Sequence, residues 1–104
     1  MTQVFIKHTV NDFQQWQSVY NAQHALKRRH GWIGCQILRC TQDQNLIVML
    51  EEYRTLEGAM AWTHSAEFHL ANGHAGVSSI PEIVFLENVC TQAELEVTRG
   101  QACN

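Results

Sequence analysis

The sequence predicts a single α+β domain whose strands and helices follow the order β-α-β-β-α-β. Three observations indicate this order: short β-branched and aromatic runs, apolar residues at helical spacing between them, and turn-forming residues at the boundaries. A chain of 104 residues has the length of one domain. The order is the split pattern of ferredoxin-like folds.

The first strand is predicted over residues 3–9, which hold a β-branched and aromatic run. A helix is predicted over about residues 12–30, because aromatic and aliphatic residues recur there at helical spacing. Asn11 or Asp12 can cap the start of this helix. Gly31 suits the left-handed conformation that follows many helices.

A hairpin follows, with strands predicted over residues 32–40 and 46–53 and turn-forming residues between them. The second helical segment begins at the capping residue Thr55, and Ser65 interrupts it or caps it again. We expect the two glycines that follow, Gly73 and Gly76, to close this segment.

The last strand is predicted over residues 83–88, with Pro81 just before it. Residues 1–88 are therefore predicted to form the domain, and residues 89–104 a C-terminal tail. Within the tail, Thr91-x-x-Glu94 is a capping box that can begin a short helix over Ala93, Leu95 and Val97.

Composition excludes several classes of protein. Ten acidic and seven basic residues give a net charge of −3, whereas nucleic-acid binding needs a positive surface. No apolar run approaches the roughly 18 residues that cross a bilayer. The N-terminus lacks the basic and apolar regions of a secretory signal, so we predict a cytoplasmic protein.

The four cysteines predict neither a disulfide framework nor a zinc site. Cys35 and Cys40 lie roughly 17 Å apart along one predicted strand, which is too far for a disulfide. Cys90 and Cys103 lie in or near the tail. Because the sequence holds no C-x-x-C pair, we expect all four to be reduced.

A set of residues along the chain resembles a known superfamily. The set comprises His8, Asp12-Phe13, Trp16, Tyr20, His24, Arg28, Gly31, Arg54-x-Leu56, Ser65-Ala-Glu-Phe68 and Pro81-Glu-Ile-Val-Phe-Leu-Glu87. Over residues 3–88 the chain resembles the dimeric α+β barrel superfamily, which includes antibiotic-biosynthesis-type monooxygenases, certain polyketide cyclases and haem-degrading enzymes. It is most similar to a bacterial branch of cyclases and of barrel proteins without an assigned activity. One fold hosts many activities, so the resemblance implies a fold more strongly than a reaction.

The resemblance implies a homodimer in which the sheets of two protomers pack face to face. The strands favour this arrangement independently, because residues 46–50 and 83–86 are continuously apolar. A sheet with one solvated face would alternate between apolar and polar residues. Two helices cover only one face, so we expect the other face to form the dimer interface.

The first helix holds three candidate pocket residues. On a helical wheel, Gln23 lies in the apolar face with Trp16 and Tyr20, and His24 lies at the edge of that face. A polar amide in an apolar face needs a partner or a wet cavity. Two interpretations stay open: Gln23 bonds to the backbone nearby, or Tyr20, Gln23 and His24 reach a pocket between the helices and the sheet, where this superfamily binds small molecules.

His8 is in phase with Val4 and Ile6 and therefore shares their face of the first strand. In related haem-degrading and quinone-forming proteins, a polar residue near this position faces the pocket. His8 is predicted either to line a ligand site or to be a hydrogen-bonded or partly exposed strand end. An imidazole titrates near neutral pH, so His8 and His24 are the candidate catalytic acids or bases.

The second helical segment argues against a metal or haem. His64, His69 and His74 are spaced by five residues, not by the three or four that place two ligands on one helix face. Trp62 resembles a tryptophan that packs against the porphyrin in haem-degrading enzymes, but Asn72 stands where their iron-ligating histidine would be. We therefore predict no metal and no cofactor.

Two functions follow from these patterns. In the first, an apolar pocket binds an aromatic or polyketide-like molecule, and His8 or His24 moves a proton during cofactor-independent cyclisation or oxygenation. In the second, the protein is a non-catalytic dimeric barrel that binds a small apolar ligand or serves in assembly. The predicted ligand contacts for either function are Trp16, Tyr20, Gln23, Trp62, His69 and His74.

Overall fold

The computed structural model describes residues 1–92. Its elements are, in chain order, β1 (Thr2–Thr9), α1 (Phe13–Ala22), α2 (His24–Arg29), β2 (Trp32–Arg39), β3 (Leu46–Tyr53), α3 (Leu56–Thr63), α4 (Ala66–His74) and β4 (Glu82–Glu87). The predicted ferredoxin-like order is confirmed, with each helical segment divided in two. The tail helix predicted from Thr91-x-x-Glu94 lies outside the described residues.

The four strands form one antiparallel sheet in the order β2-β3-β1-β4. The register places His8 of β1 beside Ile47 of β3, and Val4 of β1 beside Glu51. Side chains two residues apart share a face of the sheet. His8 and Glu51 therefore point to the same face of the sheet. Val4, the partner of Glu51 on β1, lies four residues from His8, so the two side chains are roughly 13 Å apart along the strand direction.

Side-chain caps begin three of the helices, as the sequence predicts. The backbone N–H of Gln15 donates to Asp12, which settles the choice between Asn11 and Asp12. Thr55 caps α3, and Ser65 caps α4, so the second helical segment is indeed capped again.

The prediction of one continuous helix over residues 12–30 is wrong at Gln23. The N–H of Gln23 donates to the carbonyl of Tyr20, only three residues earlier. This tight turn separates α1 from α2. Apolar spacing continues across such a turn, so the sequence pattern did not reveal it.

The glycines at the helix ends behave differently from one another. Gly31 follows α2 with φ +87° and Gly76 follows α4 with φ +73°, as expected for residues that end helices. Gly73 does not close its helix, because α4 continues through it to His74.

The core lies between the helices and one face of the sheet. Its sheet side consists of alternating residues of β1 and β3, and its helix side is dominated by the buried rings of Trp16 and Trp62. The opposite face carries half-buried or exposed apolar side chains, namely Phe5, Leu38, Val48, Leu50, Val84 and Leu86. No helix of residues 1–92 packs on that face.

The cysteine prediction is partly wrong. Cys35 and Cys40 are free thiols, as expected, but Cys90 is disulfide-bonded. Spacing excludes a bond between Cys35 and Cys40 but carries no information about the pairing of Cys90. Among residues 1–92, no helix is long and apolar enough to cross a membrane, and no cluster of His, Cys, Asp and Glu could hold a metal ion.

Candidate functional site

A cavity lies between the helix-covered face of the sheet and the four helices. The space between its atoms amounts to about 380 Å³, open solvent at its mouth included. Its walls are mostly aromatic and aliphatic, and the lining comprises Ile6, His8, Trp16, Val19, Tyr20, Gln23, Lys27, Met49, Glu51, Trp62, Phe68, Ala71, Asn72 and Ala75.

Helical spacing builds the aromatic wall. Trp16 and Tyr20 are four residues apart on α1 and therefore lie on one face, one turn apart. Their rings are stacked, with centroids 5.0 Å apart and planes 19° apart. Trp62 of α3 meets Phe68 of α4 edge to face, because the cap at Ser65 turns the chain between them. Both ring pairs offer flat apolar surface to a planar ligand.

His8 occupies one end of the cavity and has no hydrogen-bond partner among the described residues. It is 3% exposed, and both Nδ1 and Nε2 are buried and unpaired. Its ring contacts Trp16 edge to face, with centroids 5.9 Å apart. Burial lowers the pKa of His8 to about 4, so the imidazole is neutral at pH 7, with one nitrogen able to accept a proton and the other to donate one.

A charged cluster occupies the other end of the cavity. Lys27 donates to Oε2 of Glu51 at 2.9 Å, and both side chains are 2% exposed. The hydroxyl of Tyr20 donates to the same oxygen at 2.7 Å. The hydroxyl of Tyr53 donates to Oε1 of Glu51 at 2.9 Å. We refer to Tyr20, Lys27, Glu51 and Tyr53 as the charged cluster.

Two aromatic faces hold the ammonium group of Lys27. Its Nζ lies 3.5 Å from the ring centre of Tyr20 and 4.5 Å from that of Trp32. Burial lowers the pKa of Lys27, and the Glu51 carboxylate opposes that shift. Burial, with the charge of Glu51, raises the pKa values of Tyr20 and Tyr53 above their ordinary value. Both tyrosines therefore stay protonated as donors to Glu51.

Sequence analysis missed Lys27 and Glu51. Two signals could have found them: Glu51 is in phase with Ile47 and Met49 on the buried face of β3, and Lys27 follows Tyr20 by seven residues, about two turns of the helix predicted over residues 12–30.

Five of the eight predicted site residues line the cavity: His8, Trp16, Tyr20, Gln23 and Trp62. Gln23 makes no side-chain hydrogen bond within residues 1–92, which favours the pocket interpretation over bonding to the backbone nearby. Asn72, which the sequence placed at the position of an iron-ligating histidine, also lines the cavity. Its amide is a poor iron ligand, so the cavity lacks the expected donor for haem at that position.

The other three predicted residues lie outside the cavity. His24 stacks on Trp32 with ring centroids 4.7 Å apart, and burial, with the charges of Lys27 and Arg28, lowers its pKa. His69 is exposed. His74 is exposed and lines a groove on the outer side of the helices.

Solved structures with this fold include a cofactor-independent oxygenase. SnoaB of Streptomyces nogalater, described in those words, matches with a TM-score of 0.69 and 16% identity over 91% of this chain and 97% of its own. Rv0793 of Mycobacterium tuberculosis matches with a TM-score of 0.64 and 11% identity over 88% and 98%. At such low identities the TM-scores show a shared fold alone. No curated protein sequence matches the chain significantly.

The sequence itself matches one family. The family described as antibiotic biosynthesis monooxygenase matches residues 9–73, more than half of the chain. That range spans α1 to α4 and most of the cavity wall. The chain therefore belongs to the antibiotic biosynthesis monooxygenase family.

Proposed function

We propose that the protein is a cofactor-independent monooxygenase that acts on an aromatic or polyketide-like molecule, with His8 as the catalytic base. The unpaired imidazole of His8 in an apolar, aromatic cavity carries this proposal. A buried polar group without a partner costs the fold free energy. A substrate that hydrogen-bonds to His8 would supply the missing partner.

The reaction begins with proton transfer to the neutral imidazole of His8 from an acidic C–H of the bound substrate. The electron-rich carbanion then reacts with O₂, and the resulting peroxide takes the proton back from His8, which forms a hydroperoxide at that carbon. Loss of water leaves a carbonyl, so one oxygen atom enters the product and the other leaves as water. The carbon loses two hydrogens, and O₂ is the oxidant.

The pKa of His8 restricts the substrate. A base whose conjugate acid has a pKa of about 4 removes a proton only from a carbon that is strongly acidic, for example one between aromatic rings and conjugated with a carbonyl. Such a molecule is flat and apolar, like the walls formed by Trp16, Tyr20 and Trp62. The wall and the base therefore favour the same class of substrate.

Oxygen uptake with dithranol, a tricyclic hydroxyanthrone, tests the proposal. We expect His8→Ala to lower the enzymatic rate by about 10²- to 10⁴-fold, the usual contribution of a positioned base. His64→Ala is the control, because His64 is exposed and does not line the cavity, and it should keep the rate within about twofold. The acid limb of kcat/KM should lie near the lowered pKa of His8, about 4, and not near 6.5.

Two results would overturn this proposal. In the first, His8→Ala consumes oxygen as fast as the unchanged protein after subtraction of the rate without enzyme. In the second, the unchanged protein binds the related anthraquinone, seen as quenched tryptophan fluorescence, yet consumes no oxygen above that background. The second result would support the non-catalytic ligand-binding function.

We also propose that the protein is cytoplasmic and that two protomers associate through the face of the sheet that no helix covers. This face carries apolar residues from all four strands, and exposed patches of that kind mark interfaces. Val84 on this face and Met60 on α3 are both 39% exposed, so Val84→Lys and Met60→Lys form a matched pair. Sedimentation equilibrium should show a dimer for the unchanged protein and Met60→Lys, and a monomer for Val84→Lys; an unchanged protein that is monomeric at micromolar concentration would contradict the dimer.

A further inference from the structure

A row of aromatic rings leads from the His8 end of the cavity towards the protein surface. Trp16, whose ring meets that of His8, stacks on Tyr20 with centroids 5.0 Å apart. Tyr20 meets His24 edge to face at 5.5 Å, and His24 stacks on Trp32 at 4.7 Å. Trp16 is buried and Trp32 is half-buried. Rings in direct contact therefore connect a buried tryptophan to one that solvent reaches.

Tyr20 differs from the other rings of this row, because its hydroxyl has a base in place. It donates to Oε2 of Glu51 at 2.7 Å, the length of a charge-assisted hydrogen bond to a carboxylate. Burial and the charge of Glu51 raise the pKa of Tyr20, so the intact phenol keeps its proton. A phenol that loses an electron becomes a strong acid, and its proton then has a direct path to Glu51.

We propose that Tyr20 is a redox-active residue, which gives one electron to an oxidised tryptophan in the row while its hydroxyl proton moves to Glu51. The O–H bond of Tyr20 breaks and an O–H bond forms at Oε2 of Glu51. The electron restores the indole ring, and an indole that has lost its N–H proton recovers it from water. The products are a neutral phenoxyl radical and a neutral carboxylic acid.

The ammonium group of Lys27 makes the proton transfer necessary. Its Nζ lies 3.5 Å from the ring centre of Tyr20. A positive charge so close opposes a second positive charge on the ring, which loss of an electron alone would create. Loss of the electron together with the proton leaves the ring neutral. Oxidation of Tyr20 should therefore be slower in D₂O than in H₂O.

Tyr53 provides a matched comparison, because the chain has only two tyrosines. Tyr53 also donates to Glu51, at 2.9 Å, and it pairs with Trp32 in the register of the sheet. Within residues 1–92, however, the Tyr53 ring is in contact with no tryptophan ring, whereas Tyr20 stacks on Trp16. The two tyrosines thus share a proton acceptor and differ in their contact with the row.

This inference rests on the proposed function only for the source of the oxidant. When a carbanion passes one electron to O₂ before a bond forms, organic radicals arise, and these add O₂ to give peroxyl radicals. A peroxyl radical that takes an electron through Trp16 becomes a peroxide anion, which water protonates to a hydroperoxide. The oxidising equivalent then rests on Tyr20 and not on His8.

Pulse radiolysis of the protein in oxygen-free azide solution tests the inference without any substrate. The azide radical takes an electron from tryptophan in preference to tyrosine. We expect the absorbance of the indolyl radical to decay as that of the phenoxyl radical grows, at a rate independent of protein concentration and slower in D₂O. Tyr53→Phe should keep this growth, and Tyr20→Phe should lose it.

The single-tyrosine variant Tyr53→Phe is decisive, because a phenoxyl radical in it can only be that of Tyr20. Absence of the radical there, the same growth in Tyr20→Phe as in the unchanged protein, or equal rates in D₂O and H₂O would overturn the inference. A phenoxyl radical in Tyr53→Phe that grows more slowly in D₂O supports it even if dithranol is not oxidised. Oxidation of dithranol that depends on His8, without a phenoxyl radical, supports the proposed function alone.

Discussion

At one end of the cavity Glu51 accepts three hydrogen bonds, from Tyr20, Lys27 and Tyr53, whereas at the other end neither ring nitrogen of His8 has a partner among the described residues. Both side chains are almost fully buried, at 1% and 3% exposed. They share one face of the sheet and lie roughly 13 Å apart along β1. The two side chains are therefore equally buried, but Glu51 is fully hydrogen-bonded and His8 has no hydrogen bond within the described residues.

This difference separates a structural role from a functional one. A buried ion pair with all its partners needs nothing from a ligand, and removal of one member is strongly destabilising. A buried imidazole without partners contributes little to folding and retains its full capacity to bond to a substrate. We therefore expect substitutions at the charged cluster to act on stability, and substitutions at His8 to act on activity.

The largest expected effect is that of Glu51→Leu. It leaves the ammonium group of Lys27 and the hydroxyls of Tyr20 and Tyr53 buried without their acceptor. Removal of one member of a buried ion pair costs about 3–5 kcal/mol, so urea denaturation should show a loss of that size in the free energy of unfolding.

The double variant Lys27→Met with Glu51→Leu is the control for that loss. It removes both charges together, and apolar replacement of a whole buried pair is often close to neutral. We expect it to be less destabilising than Glu51→Leu, with a remaining loss of about 2 kcal/mol or more from the two unpaired hydroxyls at roughly 1–3 kcal/mol each. If the double variant is as unstable as Glu51→Leu alone, the two charges are not coupled.

Of the two ends of the cavity, the His8 end is expected to make the stability of the protein depend on pH between 4 and 7. The pKa of His8 is about 4 in the folded protein and about 6.5 when exposed. Between these values the unfolded chain binds the additional proton, so acidification favours unfolding. From pH 7 to pH 4 the protein should lose about 3 kcal/mol relative to His8→Leu; parallel urea curves for the two proteins would show that His8 is not held neutral.

Much of the fold follows from local patterns that the sequence contains. The strand at residues 46–53 and the caps at Thr55 and Ser65 depend on neighbours along the chain, and they agree with the structure. The break at Gln23 does not follow from local patterns, because the same apolar spacing continues on both sides of it. Helix position after such a break depends on packing against the sheet.

The sequence predicts a site residue correctly where a single strand or helix determines the direction of its side chain. Strand alternation placed His8 on the buried face, and helical spacing placed Trp16 and Tyr20 together. The pairing of Lys27 with Glu51 joins two elements that are distant in sequence, so neither residue alone indicated it. The orientation of His24 could not be predicted in this way, because it lies at the edge of the predicted helical face and directly after the break at Gln23.

Tyr53→Phe has a smaller expected effect on the charged cluster. It removes the one hydrogen bond to Oε1 of Glu51 and leaves the ion pair with Lys27 in place. Hydrogen bonds to charged groups contribute about 1.5–3 kcal/mol, and the variant should lie near the lower limit. Thermal or urea unfolding measures this, and a loss as large as that of Glu51→Leu would mean that Tyr53, not the ion pair, holds the cluster.

The smallest expected effect is a gain in stability from His8→Leu at pH 7. Leucine fills a similar volume and can pack against the apolar side chains of Ile6 and Trp16. The substitution also removes two unpaired nitrogens from a buried position. Because a buried polar group without a partner costs about 1 kcal/mol or more, the variant should be more stable by roughly that amount while it loses oxygen uptake with dithranol. A loss of stability would instead show that His8 has a structural partner, such as bound water. His8 would then stabilise the fold as Glu51 does.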